Sequence, residues 1–171
     1  LSHRIVETVY RLTKQLDPTR ICIDTSGNYH CDGIEIYDVH DYEGDVEKFK
    51  ENYAHIAEGI VNDQVERADK GRTQKYKGEA VFVSEYGGIG WCPQNTGWGY
   101  GNNPKTEEEF IARFKGLTDV LLDNPNILGL CYTQLYDVEQ EQNGLYTYER
   151  KPKFDTNIFA EILKRKAKIE E

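Results

Sequence analysis

A chain of 171 residues with 38% hydrophobic residues is long enough for one domain with a sizeable core. Its formal net charge of -9 makes nucleic acid and anionic membrane surfaces poor partners. No apolar run approaches membrane-spanning length, so no helix is expected to cross a bilayer.

Ile5, Val6, Val9, Leu12 and Leu16 recur at helical spacing, and Asp17-Pro18 stops that helix. Arg20-Ile21-Cys22-Ile23-Asp24 is a short apolar run ending in a carboxylate and is expected to be a buried strand. Thr25-Ser26-Gly27-Asn28 is a turn cluster. A further strand is expected over Ile34 to Val39, ending at His40-Asp41-Tyr42. Phe49, Tyr53, Ile56 and Ile60 mark the apolar stripe of the next helix. From Asn62 to Gly78 the chain turns polar, with Arg67, Lys70, Arg72, Lys75 and Lys77 among acids, and reads as a solvated helix end and surface loop.

Ala80-Val81-Phe82-Val83-Ser84 then reads as a strand buried on both faces. Glu85 follows at once, then Gly87-Gly88, where backbone turns sharply or approaches a ligand, and then Trp91. Cys92 to Lys105 is a long loop rich in Gly, Asn and aromatics, of a length more often functional than accidental. Thr106-Glu107-Glu108-Glu109 fits a capping box, and Phe110, Phe114, Leu117 and Leu121 give the helix a buried face. Ile127 to Thr133 is the last strand-like run. A polar loop from Gln134 to Lys153 leads to a final amphipathic helix from about Asp155, with Phe159, Ile162 and Leu163 inward.

Alternation of helices with continuous apolar strands predicts an α/β fold, parallel strands with helices packed outside, formed as a single domain over residues 1–171. The link from Thr25 to Gly33 is shorter than a normal parallel crossover, which needs about a dozen residues or more. Polar and aromatic residues follow the strands at Asp24, His40, Asp41, Tyr42, Glu85, Trp91, Gln134 and Asp137. On parallel strands these ends share one rim, and that convergence marks a candidate site. Cys22, Cys31, Cys92 and Cys131 lack zinc-site spacing, and Cys22 and Cys131 are expected to be buried free thiols. Asp38, His40, Asp41 and Glu43 alternate between strand faces, which disfavours a metal cluster.

Val83-Ser84-Glu85-Tyr86-Gly87-Gly88 resembles the nucleophile strand of glycoside hydrolase family 2, the β-galactosidase, β-glucuronidase and β-mannosidase group. Leu12 to Arg20, with its Leu16-Asp17-Pro18-Thr19-Arg20 ending, resembles the helix and turn that follow that family's acid/base strand. Asn143 to Lys153 resembles its segment after the last barrel strand, and the likeness extends over nearly the whole chain. The resemblance implies the second half, about strands five to eight, of a (β/α)8 barrel, and hence a fragment of a longer protein. It implies Glu85 as the nucleophile of a retaining β-glycosidase, with Tyr42 hydrogen-bonded to it and His40, Trp91 and Gln134 facing a carbohydrate substrate. The family's Asn-Glu pair is missing from these residues, so the isolated chain is expected to be inactive.

The family likeness also implies no cofactor and no resident metal, since Gly88 stands where some β-galactosidases carry a metal-associated His. Glu141-Gln142-Asn143 lacks the Asn-x-Lys of β-glucuronidases, which favours a neutral sugar, galactoside ahead of mannoside. Competing readings are a noncatalytic carbohydrate-binding or interaction module on the same fold, and a flavodoxin-like binding domain. A half-barrel also leaves sheet edges open, so self-association of the chain is expected.

Overall fold

The computed structural model describes residues 2–27, 30–62, 75–93 and 97–171. Asn28 of the turn cluster, Arg67, Lys70 and Arg72 of the polar stretch, and residues 94–96 of the long loop lie outside them. In chain order the elements are helix α1 (His3–Leu16), strand β1 (Ile36–Asp41), helix α2 (Val46–Asn52), strand β2 (Ala80–Gly87), helix α3 (Glu107–Leu122), strand β3 (Ile127–Thr133) and helix α4 (Thr156–Leu163). The strands form a three-stranded sheet in the order β1-β2-β3, and both pairings are parallel. The predicted α/β class and outer helices are therefore present.

The apolar run from Arg20 to Asp24 forms no strand, so the sheet is one strand narrower than expected among the described residues. The backbone there is satisfied differently: Cys22 N–H donates to a Glu35 carboxylate oxygen, 3.2 Å away. Ile21 is 64% exposed. The short link to β1 leaves no room for the crossover that parallel pairing requires.

On β1 every residue but His40 is buried, and central strand β2 buries Val81, Val83 and Tyr86 fully. Its Tyr86 hydroxyl meets Thr118 Oγ1 at 2.7 Å, while Thr118 donates to the Phe114 carbonyl, so β2 is tied to α3. Phe110 and Phe114 of α3 meet Phe154 and Phe159 in an aromatic layer. Thr106 caps α3 by accepting the Glu109 N–H, although the Glu109 carboxylate reaches Lys105 N–H rather than the cap residue's own. Phe49, Tyr53 and Ile56 are buried as the stripe predicts. The helix ends at Asn52, however, and a short 3-10 turn, Ile56–Glu58, stops at Gly59, leaving Ile60 exposed.

Helix α1 inverts the usual arrangement. Only Tyr10 is buried in it, whereas Ile5, Val9, Leu12 and Leu16 are 53%, 57%, 55% and 78% exposed. Those residues form one continuous stripe at helical spacing, turned outward.

The cysteines correct a second expectation. All are free, but Cys131 is exposed and Cys22 half-buried, while Cys31 and Cys92 are buried. β3 is an edge of the sheet, and Leu128 on it is exposed as well. Burial, and then the hydrogen bond and charge of Asp24, push the Cys31 thiol up to about 12. Under native conditions at pH 8, iodoacetamide is expected to alkylate Cys131 first and to spare Cys31, as read by peptide mass spectrometry. Equal alkylation of the two would contradict this packing.

Candidate active site

The site lies where β1 and β2 end. Along their pairing Val39 faces Val83, but the next pair is His40 with Glu85, so Ser84 is an extra residue in β2. The same slip appears against β3, where Val83 pairs with Leu130 and Tyr86 with Tyr132. A bulge of this kind re-aims the side chains beyond it. Its effect is to set His40 and Glu85 opposite one another.

Tyr42, just past β1, donates its phenol proton to Glu85 Oε2. Burial raises the Tyr42 phenol above its ordinary value, and the hydrogen bond to Glu85 and its charge raise it further. The phenol therefore stays protonated and serves as a donor. Its ring stacks on Tyr100, with centroids 3.8 Å apart and planes 6° from parallel. Tyr100 is fixed in turn by its N–H, which donates to the Gly88 carbonyl at 2.8 Å. Gly88 has φ +58°, and a Cβ there would stand 2.4 Å from the Tyr100 ring, so only glycine permits the stack.

His40 is held from both sides. Its Nδ1 is 3.5 Å from Glu85 Oε2 and 3.4 Å from the Tyr42 hydroxyl. Its Nε2 is 2.9 Å from Ser26 Oγ and 3.9 Å from Asp38 Oδ1. The His40 side chain is 13% exposed and that of Glu85 36%, so the carboxylate remains open to an incoming molecule.

Beneath them, Asp38 is fully buried on β1. Its Oδ1 accepts from Gly27 N–H and from Ser84 Oγ, while its Oδ2 is buried without a hydrogen-bond partner among the described residues. Burial raises the Asp38 carboxyl above its ordinary value, outweighing those hydrogen bonds and the nearby His40 and His30. A raised folded-state value gives a stabilising contribution that is complete below the unfolded value and lost as pH rises through the folded one. Asp38→Asn does not titrate. Wild-type stability relative to Asp38→Asn is therefore expected to fall as pH rises above the ordinary carboxylate value of about 4, as measured by urea unfolding at several pH values. A difference independent of pH would contradict the assignment.

The loop before β1 is anchored by a buried pair. His30 Nδ1 is 2.9 Å from Asp24 Oδ1, its Nε2 is 2.9 Å from the Asp38 carbonyl, and the second Asp24 oxygen accepts Cys31 N–H. Burial alone would raise the Asp24 carboxyl, but hydrogen bonds from His30 and Cys31 outweigh it and hold the value low. This anchoring brings Gly27, with φ +58°, against the imidazole of His40. A Cβ at Gly27 would sit 1.9 Å from that ring.

The structure thus unites three of the predicted site residues, His40, Tyr42 and Glu85, in one contact set. Trp91 and Gln134 make their contacts elsewhere. The Trp91 ring meets Phe110 and Phe154 at 6.0 and 5.4 Å, and it lines a depression with Gln142, Tyr148 and Lys153. Gln134, which follows a cis peptide bond after Thr133, directs its amide to the Glu141 carbonyl at 3.4 Å. Asp41 accepts from Asn52 and Tyr53, and Asp137 pairs with Lys153 and Gly144 N–H, so both serve the fold. Sequence reasoning missed Ser26, Gly27 and Tyr100. Tyr100 had a signal, an aromatic residue in a long Gly-rich loop, but nothing in the sequence joined it to Tyr42.

No protein-family model matches this chain, and no curated protein does. Solved structures do. A β-glucuronidase from an uncultured Clostridium species is 17% identical with a TM-score of 0.57, the alignment covering 95% of this chain and 30% of that one. The β-glucuronidase of Faecalibacterium prausnitzii is 18% identical with a TM-score of 0.57, covering 94% and 28%. That of Bacteroides uniformis is 18% identical with a TM-score of 0.56, covering 88% and 18%. At such identities the likeness is one of fold. The chain shares its α/β fold with part of these structures and spans less than a third of each.

Proposed function

We propose that this chain is the nucleophile-bearing half of a retaining β-glycosidase barrel, with Glu85 as the nucleophile. The observation that carries the reading is the Tyr42–Glu85–His40 set at the carboxyl ends of parallel strands, where α/β barrels build their active sites. A half-exposed carboxylate oriented by a phenol has the form required of a group that attacks an anomeric carbon. In the proposed cycle Glu85 forms the glycosyl-enzyme ester and expels the leaving oxygen, and water then releases the sugar. A second carboxyl group about 5 to 5.5 Å away must protonate that oxygen and later activate the water. It is assigned to the complementary half of the barrel.

Losing a general acid/base costs about 10²- to 10⁴-fold, so the isolated chain is expected to be inactive on ordinary glycosides. A neutral β-glycoside, β-galactoside first, is the proposed substrate. Asn143 is buried with its amide turned to Glu141, and Lys153 is committed to Asp137 at 2.6 Å, so neither is poised for a uronate carboxylate. The test is a panel of aryl β-glycosides turned over by the polypeptide that completes the barrel. Faster hydrolysis of the galactoside than of the glucuronide supports the reading; the reverse order overturns its substrate half.

The open edges β1 and β3, with the outward stripe of Ile5, Val9, Leu12 and Leu16, form the proposed surface on which two copies of the isolated chain associate. Sedimentation velocity is expected to show a concentration-dependent dimer that Val9→Lys with Leu12→Glu disperses. A monomer at all concentrations would contradict this.

A further inference from the structure

We infer that His40 is a positioning residue, carrying a proton on Nδ1 and supplying the second hydrogen-bond donor to Glu85 after Tyr42. The catalytic part of this inference rests on the role of Glu85 proposed above. The hydrogen-bond assignment does not.

The argument is one of donors and acceptors. An ionised Glu85 only accepts. Tyr42 has spent its single proton on Glu85 Oε2, so its oxygen offers only lone pairs. The groups facing Nδ1, at 3.5 and 3.4 Å, are therefore both acceptors, and a bare Nδ1 lone pair would be opposed to both. The other side of the ring places no such demand. Ser26 Oγ, 2.9 Å from Nε2, rotates to donate or accept, and Asp38 Oδ1 stands further back at 3.9 Å. Both Nδ1 distances exceed an ideal hydrogen bond.

The surroundings fix the ring in this orientation. Gly27 leaves the space its Cβ would take from the imidazole, and the Gly27 N–H is itself held by Asp38. Asp38 also accepts from Ser84, the bulge residue that sets Glu85 opposite His40. Ser26, Gly27, Asp38 and Ser84 thus form a seat that presents one nitrogen to the nucleophile. With Oε2 engaged by Tyr42 and His40, the other Glu85 oxygen is left for attack.

The first test is a long-range ¹H–¹⁵N spectrum of the 171-residue chain, with His40 assigned by comparison with His40→Gln. A protonated Nδ1 at neutral pH is expected. An Nδ1 without a proton overturns the inference. The second test uses the completed barrel and 2,4-dinitrophenyl 2-deoxy-2-fluoro-β-galactoside, whose leaving group needs no acid, and follows the rate at which Glu85 is labelled. Asparagine places an amide nitrogen near Nδ1, and glutamine places one near Nε2. His40→Gln is expected to slow labelling about 10- to 100-fold, with His40→Asn restoring most of it. Equal slowing in both overturns the positioning role. A wild type that takes no label while its Nδ1 is protonated overturns the glycosidase reading and the catalytic role, leaving the hydrogen bond standing.

Discussion

Glu85→Gln in the completed barrel is expected to reduce β-glycoside hydrolysis by at least about 10³-fold, toward the losses seen when other covalent enzymes lose their nucleophile. The substitution changes one oxygen for an amide and leaves the shape intact. The Tyr42 phenol can still donate to the remaining carbonyl oxygen, and the side chain is already 36% exposed. Thermal stability is therefore expected to change little, which separates the chemical loss from a folding defect. Steady-state kinetics with a chromogenic glycoside, beside a melting curve of the same preparation, measures both. Retained turnover with an unchanged fold would remove Glu85 from the reaction.

Phe114→Ala is expected to be the most damaging change to stability, at about 3 to 5 kcal/mol. Phe114 is fully buried on α3, its ring 4.7 Å from Tyr132 of β3 and 4.8 Å, edge-on, from Phe159 of α4. Truncation opens a void between three elements that cannot all collapse into it. Total stability for a domain is only about 5 to 15 kcal/mol, so the variant sits close to unfolding at room temperature. Urea denaturation gives the number directly. A loss below about 1 kcal/mol would mean that this aromatic layer is not the core of the fold.

The sequence made some of this arrangement legible and hid the rest for physical reasons. β2, β3 and α3 were readable because continuous apolar runs and a capped 3.6-residue periodicity are local signals. The run from Arg20 to Asp24 carried the same local signal, yet pairing is a property of two segments, and its backbone turned to the side chains of Glu35 and Lys14 instead. Periodicity also gave the apolar stripe of α1 but not the direction it faces, since that depends on what lies beside the helix.

At the site, Glu85 followed by Gly87-Gly88 and the His40-Asp41-Tyr42 end of β1 were visible as chemistry-bearing strand termini. The bulge at Ser84 was not visible. It is a register shift between strands, and it is what makes neighbours of residues far apart in sequence. Trp91 was visible as a large aromatic near the site, but the meeting of its ring with Phe110 and Phe154 was not.

The most direct measurement incubates the completed barrel with a panel of 2-deoxy-2-fluoro β-glycosides and maps the adduct by peptide mass spectrometry. A single sugar adduct on Glu85, strongest with the galactoside, is the predicted result. An adduct on another carboxylate, or none with any sugar in a folded protein, would contradict the assignment of Glu85 and leave a noncatalytic module on the same fold.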